Sequence, residues 1–251
     1  MGNSDDLLLR RFHDLAGMAF SQNRCTYTGF LNEAEQSLLL SSADEFAYCP
    51  FILFGGTEGC ERQMAAFGTA DMEEAAFPIA CVRIAPKQQK FADALTHRDF
   101  LGAVMHLGLE RECVGDICIK ENVAYMFCTE TMADYIARNI DSVRHTAVRC
   151  EVTDEVPAEM LFTLKEQLVQ AASPRIDAVI AKLFRLSRED SNVLFRSKKV
   201  AVNAKVTENN SYQLKEGDTV SVRGYGKFIY DGVGSLSKKG KSNCIVRVYT
   251  R

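Results

Sequence analysis

Between positions 77 and 152 the sequence spells out six elements in one order, and that order leaves few folds open. Residues 79–84 form an apolar run of strand length. Thr96 caps a helix that runs through Leu107 and closes at Gly108. Residues 112–119 and 123–128 read as a hairpin around Lys120-Glu121-Asn122. A second helix follows at 131–140, and residues 146–152 form a last strand. The β-α-β-β-α-β order predicts a ferredoxin-like split βαβ sheet with both helices on one face.

RNA-recognition-motif domains share this topology. Their aromatic signature, [KR]GF[GA]F, is absent from 123–128. Tyr125 and Phe127 alternate with Ala124 and Met126, so the two rings share one face. Core packing is the expected role for them. His97-Arg98-Asp99 matches the start of a kinase catalytic loop, but Val104 stands where that loop needs Asn, and neither DFG nor VAIK occurs. Asp99 instead suits the first turn of a helix. His97, Arg98, Arg111 and Asp116 form a candidate second polar site, with simple capping and ion pairing as the alternative.

Upstream, Leu8, Phe12, Leu15, Ala16 and Ala19 fall at helical spacing within residues 5–21. Asn32 is a plausible N-cap, with Glu33 and Glu35 at the positive end of a helix expected to reach about Glu45. Pro50 precedes a short strand at 51–54, and 60–67 returns as a strand or a short helix. Gly55-Gly56-Thr57-Glu58-Gly59 is glycine-rich, but no Lys and Ser/Thr follow it as a phosphate loop requires, and acidic Glu61 comes next. A tight turn is expected there.

Charge divides the chain. Residues 174–251 hold sixteen Lys and Arg against seven Asp and Glu, a net of +9, while the remaining residues carry a net of −12. Such asymmetry is a mark of a polyanion-binding module. Within it, Pro174 opens a helix whose apolar face is Ile176, Val179, Ile180 and Leu183, with Arg175, Lys182 and Arg185 opposite. Ser187 caps a second helix with Glu189 and Asp190 in its first turn. There Val193, Leu194 and Phe195 are expected to point inward and Arg188 and Arg196 outward. Lys198-Lys199 lead into a strand at 200–202, Asn203-Ala204 turns it, and Lys205 extends from the turn. Arg223-Gly224-Tyr225-Gly226-Lys227 adds cations and an aromatic tip on glycine-flexed backbone. Gly240 among Lys238, Lys239 and Lys241 adds a mobile basic loop. The candidate RNA-binding residues are therefore Arg175, Lys182, Arg185, Ser187, Arg188, Arg196, Lys198, Lys199, Asn203, Lys205, Arg223, Tyr225 and Lys227. A convex cationic surface of this kind suits A-form RNA, which is read through shape, phosphates and 2′-hydroxyls.

The nine cysteines are scattered, form no CxxC pair and show no zinc spacing. They read as small hydrophobes in a reducing cytosol, with no metal and no cofactor expected. No run of eighteen apolar residues occurs. The first residues order their charges opposite to a secretory signal, and Asp6 breaks the myristoylation pattern.

The stretch 174–228 resembles a known module. Arg-Ile-Asp near its start, Leu-Ser-Arg before the second helix, Val-x-Val-Asn, and Leu-x-x-Gly-Asp-x-Val are similar to the S4-type RNA-binding domain. Ala204 stands where that family usually has Gly, and Lys198 where Gly commonly ends the second helix. The wider chain resembles YlmH-type bacterial proteins, on FLNEAEQ, FGGTEGCERQMAAF, HRDFLGAVMHLGLERECVGDI and RGYGKF in that order. The resemblance implies an α+β protein in three parts. These are an N-terminal α/β unit (1–75), a ferredoxin-like, RRM-like middle domain (76–172) and a C-terminal S4-type αα-β domain (173–251). It also implies a cytoplasmic factor that binds ribosomal RNA and tRNA on large ribosomal subunits during rescue of stalled ribosomes.

The reading from residues is a non-catalytic RNA-binding protein. An RNA-modifying enzyme, a pseudouridine synthase or methyltransferase with an appended S4-type domain, is the alternative. Its R-x-D candidate, Arg175-Ile176-Asp177, lies inside the binding module, and Gly55-Gly56 is a poor cofactor loop. A protein-interaction scaffold is the third reading.

Overall fold

A computed structural model describes residues 3–68, 77–160, 163–171, 173–236 and 242–250. The chain divides into two compact units, Met1–Phe162 and Thr163–Arg251. The expected boundary near residue 75 and the basic loop of Lys238, Lys239, Gly240 and Lys241 lie outside the described residues.

The first unit begins with α1 (Asn3–Gln22), β1 (Thr26–Tyr27), α2 (Glu33–Ser41), β2 (Phe51–Phe54) and β3 (Met64–Phe67). The strands pair antiparallel in the order β1-β3-β2. The start of α2 is fixed by a capping box: Asn32 Oδ1 accepts from the Ala34 and Glu35 amides, and Glu35 accepts from the Asn32 amide at 2.7 Å. The helix stops at Ser41, short of Glu45, and a 3-10 turn at Ala43–Phe46 takes over. β3 is buried on both faces. Ala65 and Phe67 join Phe12, Ala16, Leu39 and Phe46 under the helices, while Met64 and Ala66 face the other way.

The rest of this unit is β4 (Ile79–Pro86), α3 (His97–Met105), β5 (Val114–Lys120), β6 (Val123–Thr129), α4 (Glu130–Asn139), β7 (Ser142–Val143) and β8 (Thr146–Thr153). The sheet order is β5-β6-β4-β8-β7, antiparallel throughout, which is the ferredoxin-like arrangement expected from the order of elements. Glu121 (φ 50°) and Asn122 (φ 64°) make the two-residue β5–β6 turn that matches strand twist. One sheet face packs on α3 and α4 through Val82, Ile84, Met126, Phe100 and Ile136. The opposite face carries Cys81, Cys118, Tyr125 and Phe127, and these meet Phe30, Cys60, Met64 and Ala66 of the small N-terminal sheet in one core. The two pieces read separately from sequence are thus joined by shared burial.

The second unit is β9 (Thr163–Ala171), α5 (Ile176–Leu183), α6 (Arg188–Arg196), β10 (Val200–Val202), β11 (Lys205–Val206), β12 (Thr219–Val222), β13 (Gly226–Leu236) and β14 (Ser242–Thr250). The sheet runs β11-β10-β12-β13-β14-β9. Residues 163–171, placed by the sequence reading in the middle domain, pair with β14 along their whole length. The break between units therefore falls about ten residues before the expected one. Ile176, Val179, Ile180, Leu194 and Phe195 form the core against Val200, Val220, Phe228 and Val246. Val193 differs from expectation: it is exposed, and Ser191 takes the inward position, where its hydroxyl donates to the Asp177 carbonyl at 3.2 Å.

Candidate RNA-binding surface

Both helices of the second unit end in the same way. After α5 the Leu186 amide donates to the Ala181 carbonyl and the Arg185 amide to Lys182. After α6 the Lys199 amide donates to Leu194 and the Lys198 amide to Phe195. These are Schellman closures, which place one residue in the left-handed region and favour Gly there. Here the residues are Arg185 (φ 56°) and Lys198 (φ 54°). Each costs about 1 kcal/mol against glycine, and each sets an exposed cation at the negative end of a helix.

The candidate residues separate by role. Arg175 is bound bidentately by Asp177, at 3.0 and 2.8 Å, so its charge is neutralised locally. Ser187 Oγ accepts from the Asp190 amide at 3.0 Å and caps α6. Asn203 is a cross-brace: its amide donates to Asp218 and its oxygen accepts from the Thr219 amide, both at 2.9 Å. These three residues build the fold of the module. Arg196 pairs with Glu189 at 3.4 Å and Lys198 with Glu208 at 3.5 Å across exposed surface, which are weak pairings. Lys182, Arg185, Arg188, Lys199, Lys205 and Arg223 are exposed and make no ion pair among the described residues.

Three of these cations, Arg185, Lys199 and Arg223, are gathered at one end. The Arg223 amide donates to the Lys199 carbonyl at 2.9 Å, which sets the end of α6 beside the β12–β13 turn. Tyr225 on that turn meets Phe184 at the end of α5, with ring centroids 5.7 Å apart, and is 47% exposed. Lys227 lies 5.0 Å from the Tyr249 ring. Lys205 is apart, at the far end of β10 beside Val202. Phe184 had no place in the sequence reading. Its signal was an aromatic directly before a basic helix end.

Asn203 (φ 50°) and Ala204 (φ 60°) form the β10–β11 turn, and Ala204 holds a conformation its Cβ disfavours. Ala204→Gly is expected to stabilise the chain by about 0.5–1 kcal/mol, measured by urea unfolding. RNA affinity should not change, because Ala204 carries no charge.

The four residues of the candidate second polar site fall in two places. Arg111 and Asp116 lie where the small sheet meets the large one. A register shift between Val114 and Ile117 turns Asp116 toward Glu61 and Arg62, whose amides donate to it at 2.8 and 3.2 Å. The Arg62 guanidinium donates to the Val114, Phe30 and Arg111 carbonyls. Arg111 donates to Val114. Burial, and Arg62 beside it, push the Arg111 guanidinium down to about 10. His97 and Arg98 instead stand in the first turn of α3, on the other side of the sheet. Asp99 there accepts from the Thr96 amide at 2.8 Å and lies 3.8 Å from Arg144. The Thr96 bonds, aided by Arg144 and Arg98, hold the Asp99 carboxyl below the usual range.

Residues 73–156 match the family model described as "Putative RNA-binding domain in YlmH". A curated relative, the ribosome-associated protein quality control protein P2 of Bacillus subtilis (strain 168), is 31% identical over 229 residues, which cover 88% of this chain and 86% of the relative. The chain belongs to the YlmH family. A solved structure titled cell division protein ylmH from Streptococcus pneumoniae has a TM-score of 0.50 at 20% identity, covering 61% of this chain and 93% of that one, a likeness of fold. In this YlmH-family chain the β5–β6 half of the matched domain's sheet face is occupied. Tyr125 and Phe127 are 8% and 4% exposed. A Cβ on Gly56 would lie 2.4 Å from the Phe127 ring, and one on Gly115 2.6 Å from Phe30. Burial of both rings agrees with the core role expected for them.

Proposed function

We propose that this chain is a non-catalytic, cytoplasmic RNA-binding factor of ribosome-associated quality control. Its C-terminal unit grips ribosomal RNA of the large subunit, and the protein acts where a stalled subunit still carries peptidyl-tRNA. One observation carries the reading. Arg185, Lys198, Lys199, Arg223 and Lys227 converge on one end of the unit, and two of them occupy left-handed positions that glycine would fill more favourably. Strain retained at exposed charged positions is typical of a site kept for binding. The printed name of the Bacillus subtilis relative supports the ribosomal setting. Against the modifying-enzyme reading, Asp177 is already held by Arg175 and the Ala178 amide, and so is not poised for chemistry.

The test is charge reversal. Arg188→Glu with Lys199→Glu in the full chain is expected to release the protein from large subunits in a sucrose gradient. Wild-type binding to ribosomal RNA should show a log–log salt slope of roughly −3 to −6, for about four to seven phosphates. Co-sedimentation of the double variant, or a flat salt response, would remove the unit from this role.

A further inference from the structure

We infer that the domain matched at 73–156 takes single-stranded RNA at the end of its sheet, on a surface built from residues 87–98 and 144–149, and not on the sheet face. The inference rests on the RNA-binding reading above and locates a second contact within it.

The sheet face is the surface such a topology would ordinarily offer, and the small N-terminal sheet covers its β5–β6 half. What remains open is the end where β4 leaves the sheet. There the chain is pinned across the strand ends. The Lys87 amide donates to Ala147 O at 2.9 Å, and the Asp93 amide to Thr146 Oγ1 at 3.0 Å. Gln89 Nε2 donates to Glu121 O at 2.5 Å, and the Leu95 amide to Asn122 Oδ1 at 2.9 Å. Leu95 is buried beneath. The segment is thus anchored at four points, from the β7–β8 turn to the β5–β6 turn.

On this segment Phe91 is 76% exposed, the most exposed of the large apolar side chains among the described residues. The Lys90 ammonium lies 5.9 Å from its ring centroid. Lys87 and Arg98 flank it along the same segment, Arg144 and Arg149 lie on the β7–β8 turn and β8, and all four are exposed. Arg149 sits across from Ala85, which is two residues from Lys87 along the chain. Residues 83–99 and 138–149 together hold seven Lys and Arg against three Asp, within the part of the chain whose net charge is −12. The carboxylates nearby are Asp93, Asp99, Glu121, Asp141 and Glu151. Of these, Asp99 is engaged by Thr96 and Arg144, and Glu151 by Arg83 at 2.9 Å.

An exposed ring flanked by cations on a braced backbone is the arrangement that holds unpaired nucleotides: bases stack on the ring while phosphates meet Lys and Arg. Duplex RNA would offer Phe91 no free base. An acidic protein segment would use the cations and leave the ring without purpose.

The experiment uses the full chain and a hairpin RNA whose loop carries 4-thiouridine. Photo-crosslinking followed by trypsin and mass spectrometry is expected to mark the peptide 91–98. Crosslinks confined to 163–251 would overturn the inference. In parallel, Phe91→Ala with Lys87→Glu and Arg149→Glu should weaken hairpin binding at least about tenfold and make the salt slope shallower by about 1.4, for two single-strand phosphates. Binding to the same stem without the loop should be unchanged. If wild type and variant bind the hairpin equally, this surface is excluded and the C-terminal anchor stands. If wild type binds no RNA at all, the anchor reading falls with it.

Discussion

Gly56→Ala is expected to destabilise the first unit by about 3 kcal/mol or more. Two costs add at this position. Gly56 has φ +102°, a conformation L side chains rarely adopt, and a Cβ would stand 2.4 Å from Cδ1 of Phe127. The ring has nowhere to retreat. It is 4% exposed and packed in one core with Phe30, Met64 and Ala66. The methyl group would therefore push the small sheet off the large one, opening the core that Phe30, Met64, Ala66, Tyr125 and Phe127 share. Urea unfolding of the full chain measures the effect. Gly102→Ala is the control, since Gly102 lies within α3 with nothing inside 4 Å, and it should stabilise by up to about 1 kcal/mol. A Gly56→Ala variant as stable as wild type would show that the two sheets do not interlock there. It would also return the Tyr125 and Phe127 face to consideration as an RNA platform.

That interlock marks where sequence reading stops. The ferredoxin-like order was legible because each element declares itself locally: Thr96 with Asp99 shows as a cap, and Lys120-Glu121-Asn122 as a turn. The two helices and following strand of the C-terminal module were legible because its spaced residues are architectural. Ser187, Asn203 and Asp218 each hold backbone, so their positions are fixed by geometry. Ser187 and Asn203, named above among the candidate RNA-binding residues, have side chains already engaged within the module. The covered sheet face was not legible, since Gly56 meets Phe127 across 71 positions and nothing local announces it. Nor was the strand character of β9, whose partner β14 lies far along the chain at 242–250. Phe91 shows the converse: as a single exposed ring in a polar loop it carries no period, and only its exposure distinguishes it.

Asp218→Ala is expected to cost about 3–5 kcal/mol and to abolish RNA binding by unfolding the module that presents the cations. Asp218 is 5% exposed and serves three donors: Tyr212 hydroxyl at 3.0 Å, the Lys215 amide at 2.8 Å and Asn203 Nδ2 at 2.9 Å. Removing the carboxylate leaves three part-buried donors without their acceptor, at up to about 1–3 kcal/mol each. Asn203 would also lose the bond that orients its oxygen toward the Thr219 amide, loosening the register between β10 and β12. β12 leads directly into Arg223 and Tyr225. Burial and the bond to Asp218 both raise the Tyr212 phenol above its usual range, so its proton stays in place as a donor through neutral pH. Asp218→Asn keeps one acceptor oxygen and should lose less stability than Asp218→Ala. The comparison with Arg188→Glu and Lys199→Glu is decisive for mechanism. The charge reversals touch exposed side chains, so they should lose RNA at an unchanged urea midpoint. Asp218→Ala should lose both together. If Asp218→Ala kept the wild-type midpoint and still lost RNA, Asp218 would have to act at the interface itself, and the division between residues that build this module and residues that use it would fail.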